Sequence, residues 1–175
     1  MDERFSRVFE DIKKHEGGYT NDKNDLGGET KFGISKRQYP NLDIAKLTEE
    51  QAKTIYYYDY WLKYRVDKLA KASFQVASKY FDFLVNAGEK NAKPVLIKSI
   101  NELGYDIVNH NDMNEDILLA VKEIVMTGKK EAFINNFIKN QKNYYITIAN
   151  KRPRNRKFLN GWLRRAEYRG VKDFG

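Results

Sequence analysis

The chain has 175 residues, of which 41% are apolar and 32% charged, and this length and composition fit one globular domain with a single core. It has no cysteine and two histidines, His15 and His110, which excludes disulfide bonds and cysteine-ligated zinc and predicts no metal or other cofactor. The net charge of +8 predicts attraction to a polyanion such as nucleic acid, an anionic membrane surface or a bacterial wall polymer.

The N-terminal segment is predicted to be an amphipathic helix rather than an export signal. Four apolar residues recur at the spacing of one helical face and predict a helix over residues 3–15, namely Phe5, Val8, Phe9 and Ile12. Gly17 and Gly18 end it. The opening MDERFSRVFED carries acids and no apolar stretch, so it does not resemble a secretory signal. No run of about 18 apolar residues predicts a membrane span.

The rest of the chain predicts one small β excursion followed by helices. Residues 19–35 are polar and punctuated by glycine, which favours a hairpin or wing. Thr48 to Gln51 form a capping-box signature that opens a helix reaching about residue 64. Later helices are predicted at about 73–86, from Pro94 to Gly104, from Asn114 or Asp116 to Gly128, at 130–149, and at 159–168. The predicted class is α+β, predominantly helical, with a small β-wing after the first helix.

Glu16 is the first candidate for chemistry, because it lies where the first helix must stop. A carboxyl in the last turn of a helix is beside the negative end of the backbone dipoles, which disfavours its ionised form. If neighbouring side chains also exclude solvent, the pKa of Glu16 is expected to rise further, toward the range of a general acid at neutral pH. The alternative is a solvated acid at a helix end.

The wing offers partners for such an acid. Cleavage of a glycosidic bond needs a proton-donating acid and a second carboxylate roughly 5 to 9.5 Å away. Asp25 is the candidate for that carboxylate, with Asp22 as its rival, and the Thr30 hydroxyl could hold a water molecule. In the alternative interpretation, Asp22, Asn24 and Asp25 form a turn whose side chains bond to their own backbone.

Four further residues are candidates for substrate binding. Asp82 and Asn86 are four residues apart and share one helix face, so they could line a cleft or be a solvated polar pair. Tyr19 follows the glycines and could stack on a sugar ring, although packing with an exposed hydroxyl is the commoner arrangement for tyrosine. Trp162 could reach a cleft, but its helical spacing from Phe158 also fits a core residue.

The motif HEGGYTNDKNDLGGETKFGIS, residues 15–35, resembles the signature of the glycoside hydrolase family 108 muramidases, the phage-type lysozyme and "secretion activator" group. That pattern has an acid, Gly-Gly and Tyr, then Asp-x-Gly-Gly-x-Thr-x-x-Gly-Ile. The segment is also similar to phage T4-type lysozymes, although four residues separate Asp25 from Thr30 where that group usually has five. YYYDYW (core at 57–61), FDFLVNAG (81–88) and FLNGWLRRAEY (158–168) resemble later motifs of the same family.

The resemblance implies a lysozyme-like fold and hydrolysis of the β-1,4 bond between N-acetylmuramic acid and N-acetylglucosamine in peptidoglycan. It assigns Glu16 as general acid, Asp25 as second carboxylate and Thr30 as a water-positioning hydroxyl, and it implies no cofactor. It further implies a catalytic region at 1–88 and a helical peptidoglycan-binding region at 89–175, packed as one compact unit. We expect a monomer that acts in the periplasm or cell wall and arrives by holin-dependent or non-Sec export, or is phage-encoded.

Two other functions compete with this interpretation. The basic segment KRPRNRK (151–157), with aromatic neighbours and a basic isoelectric point, is typical of a phosphate-contacting nucleic-acid binder, but the chain has no recognition-helix motif. The other alternative is a wall-binding protein in which the hydrolase residues are idle. The nucleic-acid interpretation leaves the glycine-rich segment unexplained, so we expect peptidoglycan rather than nucleic acid as the partner.

Overall fold

The structure is a computed structural model that describes residues 1–21, 28–108 and 113–173. Contacts between residues divide the chain into two compact units, Met1–Tyr60 and Trp61–Gly175. In its described residues the first unit combines helices with a small sheet, whereas the second is built from helices. The predicted α+β class, predominantly helical with a small β-wing after the first helix, is confirmed.

The first helix, α1 (Glu3–Glu16), forms where the apolar spacing predicts it. Asp2 caps its N-terminus by accepting a hydrogen bond from the Arg4 backbone N–H at 2.9 Å. The chain leaves the helix at Gly17, whose φ of 75° lies in the region that favours glycine. Glu16 is therefore the last helical residue, one residue beyond the predicted end of the helix. The apolar face is buried and consists of Phe5, Val8, Phe9 and Ile12.

An antiparallel hairpin forms the β-wing, with strands β1 (Thr30–Lys31) and β2 (Ile34–Ser35). The register pairs Thr30 with Ser35 and leaves Phe32 and Gly33 as a two-residue loop. Both loop residues have positive φ, 53° and 78° respectively. Positive φ at both central residues is what a type I′ turn requires, and the twist of that turn matches the twist of paired strands.

The second helix, α2 (Glu49–Tyr56), begins at the predicted capping box after a 3₁₀ turn, Ile44–Lys46. The Thr48 hydroxyl accepts a hydrogen bond from the Gln51 N–H, and the Gln51 side chain accepts one from the Thr48 N–H. The sequence predicts a helix reaching about residue 64, but the α-helix ends earlier and continues as a π-helical turn, Tyr57–Leu62. The spacing of apolar residues does not distinguish an α-helix from a π-helical turn here, because both bury apolar residues on one side.

The second unit begins within the π-helical turn. Its described helices are α3 (Val66–Ala72), α4 (Phe74–Ala87), α5 (Glu89–Asn101), α6 (Glu115–Met126), α7 (Lys130–Lys151) and α8 (Arg156–Ala166), with a 3₁₀ turn, Pro153–Asn155, before α8. The helix α4 packs against α3, α5 and α7 and is buried along most of its length. None of the described helices combines the length and apolar composition needed to cross a lipid bilayer.

Three features of the second unit differ from the sequence-based prediction, and one of them is α8, which begins at Arg156 rather than at residue 159. The helix α3 is not predicted, because seven residues are too few to show a helical repeat. Pro94 is predicted near a helix start, but α5 begins at Glu89, so the proline lies inside the helix. The helices α4, α6 and α7 begin within a residue or two of their predicted positions.

Candidate active site

The Glu16 carboxyl group lies at the C-terminal end of α1 and is half-buried. The residues before it are basic, so the last turn of the helix carries Lys13, Lys14 and His15. Cations are favoured at a helix C-terminus, whereas a carboxylate there is disfavoured in its ionised form. The sequence thus places one acid among cations at the position where the helix dipole opposes ionisation.

Three chain segments of the first unit converge on Glu16. The wing loop approaches so closely that a β-carbon at position 33 would lie 2.9 Å from Glu16 Cγ and 3.0 Å from Cδ. The same β-carbon would lie 2.5 Å from the hydroxyl oxygen of Tyr56, the last residue of α2. That hydroxyl donates a hydrogen bond to the Phe32 carbonyl oxygen at 2.7 Å. The end of α1, the wing loop and the end of α2 therefore meet around Gly33, beside the Glu16 side chain.

Thr30 and Tyr19 are both held within the wing. The Thr20 and Thr30 hydroxyl oxygens are 2.7 Å apart, and the backbones of these two residues exchange hydrogen bonds at 2.8 and 2.9 Å. The Tyr19 hydroxyl donates a hydrogen bond to the Glu29 carboxylate, which raises the pKa of Tyr19 above its ordinary value. Tyr19 remains 45% exposed.

The proposed second carboxylate lies outside the described residues. Asp25 and its rival Asp22 both fall in residues 22–27, and so does Asn24. The predicted pairing of Glu16 with an acid of the wing therefore remains a prediction. In residues 1–21, 28–108 and 113–173, no three His, Asp or Glu side chains cluster in a way that could hold a metal ion.

Asp82 belongs to the second unit and is bonded within it. Its carboxylate is 1% exposed and accepts two hydrogen bonds from the guanidinium group of Arg165 on α8, both at 3.1 Å. Such a bidentate pair has a defined geometry, and separating the two groups would cost free energy because each would be a buried charge. In the structure Asp82 joins α4 to α8 and offers no exposed oxygen to a ligand.

Asn86 and Trp162 meet through a third residue, Tyr145 of α7. The Tyr145 hydroxyl donates a hydrogen bond to Asn86 Oδ1 at 2.5 Å. The Tyr145 ring stacks on the Trp162 indole with centroids 5.4 Å apart and an angle of 23° between the planes. Both Asn86 and Trp162 are half-buried. Two of the predicted substrate-binding residues thus form one polar and aromatic cluster between α4, α7 and α8.

Sequence reasoning missed two residues that organise these regions. Tyr56 anchors the wing loop, and its only signal is membership of the aromatic run that resembles the family motif. Lys79 is 1% exposed and donates hydrogen bonds to Gln141 Oε1 and to the Ala166 carbonyl oxygen. Its position three residues after Val76, on the apolar face of α4, is the signal that predicts such burial.

Comparisons with known proteins found two family models and a solved structure that match the chain. Residues 9–88 match the family model described as glycosyl hydrolase 108, and residues 91–167 match the model described as a predicted peptidoglycan domain. The chain is similar to the solved structure of Brucella abortus SagA, with a TM-score of 0.71 and 23% identity over 93% of this chain and 88% of that one. No curated protein matches the chain.

These matches define the chain as a peptidoglycan-acting glycoside hydrolase. The similarity in structure confirms the predicted lysozyme-like α+β fold class. Residues 9–88 are thus similar to the glycosyl hydrolase 108 family, and the chain's action is expected in the cell wall or periplasm. The hydrolase match covers the described residues from α1 to α4 and includes Glu16, the β-wing and Asp82.

Proposed function

We propose that this protein is an N-acetylmuramidase that cleaves the β-1,4 bond between N-acetylmuramic acid and N-acetylglucosamine, with Glu16 as the general acid. The placement of Glu16 carries the proposal. It is a half-buried carboxyl at the negative end of α1, against the wing loop, within the residues that match the hydrolase family. The helix dipole at this end opposes ionisation, and a carboxyl that keeps its proton suits a group that must deliver one to a leaving oxygen.

Hydrolysis also requires a second carboxylate and a water molecule. The resemblance to muramidases supports Asp25 as that carboxylate, with Asp22 as the alternative. Thr30 is the proposed water-positioning residue, because its hydroxyl is oriented by the Thr20 hydroxyl at 2.7 Å and keeps hydrogen-bonding capacity for a water molecule. In this mechanism Glu16 protonates the glycosidic oxygen while the second carboxylate stabilises the positive charge that develops on the sugar.

Three of the four proposed substrate-binding residues can contact a sugar directly, whereas the fourth, Asp82, cannot. Tyr19 is exposed and can stack on a sugar ring, and Trp162 presents part of its indole to solvent. Asn86 keeps its amide N–H groups for a sugar, while its oxygen accepts from Tyr145. Asp82 is proposed to act through Arg165, by fixing α8 and with it Trp162.

Mass analysis of the products of digested peptidoglycan tests the proposed function. Purified peptidoglycan is incubated with the full chain, and the soluble fragments are reduced with borohydride and sequenced by mass spectrometry. We expect reduced N-acetylmuramic acid at the ends of the fragments. Reduced N-acetylglucosamine would assign the cut to the other glycosidic bond, free peptide ends would assign it to the stem peptide, and either result would overturn the proposal.

The digestion, together with sedimentation and DNA-binding measurements, separates the alternative functions. A wall-binding protein with idle hydrolase residues would sediment with insoluble peptidoglycan and release no fragments. A nucleic-acid binder would shift a duplex DNA fragment in a salt-dependent manner and leave peptidoglycan intact. For the proposed monomeric muramidase we expect soluble fragments, a mass in solution of one chain, and no DNA shift at moderate salt.

A further inference from the structure

The tip of the β-wing is pressed against the Glu16 side chain. A β-carbon at position 33 would lie within 3.0 Å of two Glu16 carbons and 2.5 Å from the Tyr56 hydroxyl oxygen. Atoms of a packed protein interior do not approach one another so closely. The structure therefore leaves room for glycine alone at this position, and the φ of 78° favours glycine for a separate reason.

Tyr56 holds the wing tip from the other side. Its hydroxyl donates a hydrogen bond to the Phe32 carbonyl oxygen in the loop at 2.7 Å. Only 3% of Tyr56 is exposed, and its ring packs against Phe9 of α1 with centroids 6.1 Å apart. The loop thus rests on a side chain that is itself fixed in the core of the first unit.

These contacts limit the conformations that the flexible Glu16 side chain can adopt. Glutamate has three rotatable side-chain bonds, whereas a catalytic group has to stay within about 0.5 Å of its productive position. The Gly33 backbone forms a wall beside Glu16 Cγ and Cδ, the last two carbons of that side chain. The Gly33 backbone can lie this close to Glu16 because glycine has no side chain. The hydrogen bond from Tyr56 to the loop keeps the backbone from moving away.

We propose that Gly33 and Tyr56 are positioning residues, with Tyr56 anchoring the wing loop and the Gly33 backbone holding the Glu16 carboxyl in its proton-donating orientation. This proposal rests on the proposed function of Glu16. Both residues act through the glutamate and not on the reacting atoms.

The first test compares two glycine-to-alanine variants that share one backbone conformation. Gly33→Ala introduces both the strain of positive φ and the collision with Glu16, whereas Gly128→Ala, at a φ of 76°, introduces the strain with nothing within 4 Å of the new carbon. We expect Gly33→Ala to lower kcat on peptidoglycan by about 100-fold with little change in KM, as a misplacement of about 1 Å does. We expect Gly128→Ala to keep the wild-type kcat. Equal kcat for both variants would overturn the proposal.

A double variant separates positioning from simple destabilisation. Tyr56→Phe removes the atom nearest to the new carbon and also removes the anchor of the loop. In Gly33→Ala/Tyr56→Phe we expect the melting temperature to recover relative to Gly33→Ala, because the collision at 2.5 Å is gone. We expect kcat to stay low, because the loop has lost its anchor and no longer holds Glu16 in position. Recovery of kcat together with stability would overturn the positioning role of Gly33.

Carbon NMR of the Glu16 carboxyl separates failure of this inference from failure of the proposed function. We expect Gly33→Ala to move the chemical shift and titration midpoint of Glu16 and to leave those of Glu10, on the same helix, unchanged. If the Glu16 resonance moves in this way but the wild-type protein releases no peptidoglycan fragments, the contact between Gly33 and Glu16 is supported and the muramidase proposal is refuted. If Glu16→Gln abolishes hydrolysis while Gly33→Ala keeps the wild-type kcat and Glu16 resonance, the positioning role is refuted alone.

Discussion

The two compact units place their polar groups differently. Tyrosines aside, every buried polar or charged side chain in the described chain belongs to the second unit, and the set comprises Ser73, Gln75, Ser78, Lys79, Asp82, Lys93, Ser99, Asn140 and Gln141. The first unit keeps its charged groups at least partly exposed, and Glu16 is among them. Because a buried charge has to be bonded to persist, these groups in the second unit hold helices together, whereas the first unit leaves its acid accessible to a ligand.

A connected set of hydrogen bonds organises the second unit. Lys79 Nζ donates to Gln141 Oε1 at 2.8 Å and to the Ala166 carbonyl oxygen at 2.7 Å. The Gln141 amide donates to the Tyr145 hydroxyl at 3.3 Å, which in turn donates to Asn86. Helices α4, α7 and α8 are thus joined by polar contacts in addition to apolar packing.

The largest expected effect comes from breaking the buried pair between Asp82 and Arg165. Arg165→Met removes the guanidinium group that pairs with the buried Asp82 carboxylate, and we expect it to lower the free energy of unfolding by about 3–5 kcal/mol. The matched variant in the first unit is Lys13→Met, which removes a partly exposed partner of Glu10 at 3.0 Å and of Glu49 at 3.3 Å. That change is expected to cost at most about 1 kcal/mol. Urea unfolding measures both, and equal costs would contradict the contrast between the units.

A pH-dependent effect is expected from Lys79. Burial lowers its pKa to about 7, although the charges of Asp82 and Glu167 act in the opposite direction. The folded chain then releases a proton that the unfolded chain keeps up to about pH 10.4, so stability rises with pH across that window by roughly 1 kcal/mol per unit. Below about pH 7 the full cost of burying the ammonium is present.

Lys79→Met isolates this contribution. The difference in free energy of unfolding between wild type and Lys79→Met is expected to shift in favour of the wild type between pH 7 and pH 9. Urea titrations at several pH values measure it. A difference that stays constant across this range would show that Lys79 titrates normally and that its burial carries no charge penalty.

A smaller effect is expected on the surface of the second unit. Residues 132–166 contain nine cations and no acid, and six of the nine form no ion pair in the described chain, namely Lys151, Arg152, Arg154, Arg156, Lys157 and Arg164. We expect Arg154→Glu/Arg156→Glu to weaken binding to anionic wall polymer by roughly tenfold at low salt, without changing stability. Sedimentation with insoluble peptidoglycan measures this.

The control for this surface carries the same change in net charge. Lys68→Glu/Lys71→Glu reverses two exposed cations of α3 outside the cationic segment. We expect it to weaken binding less than Arg154→Glu/Arg156→Glu does. Equal weakening by the two double variants would mean that total charge, rather than the segment, determines binding.

The sequence predicts the local features of the fold well, because each depends on neighbouring residues. The end of α1 follows from Gly17, and the start of α2 follows from the capping box of Thr48 and Gln51. The placement of Glu16 at a helix end follows from the same local signals. These features require no knowledge of distant contacts, so periodicity and capping residues are sufficient.

The remaining features depend on residues far apart in the chain. Asp82 pairs with Arg165, 83 residues away, and no local pattern in the sequence names that partner. The approach of the wing loop to Tyr56 likewise depends on how α2 packs against α1. For the same reason the sequence predicted Asp82 as a cleft residue, whereas the structure buries it beneath α8.

The most direct test of the central claim is the rate at which Glu16→Gln releases reducing ends from purified peptidoglycan. Glu10→Gln is the matched control, since it makes the same change at an exposed position of the same helix. The account predicts that Glu16→Gln folds as the wild type and loses activity by roughly 100-fold or more, while Glu10→Gln keeps the wild-type rate. Near-normal turnover by Glu16→Gln would contradict it.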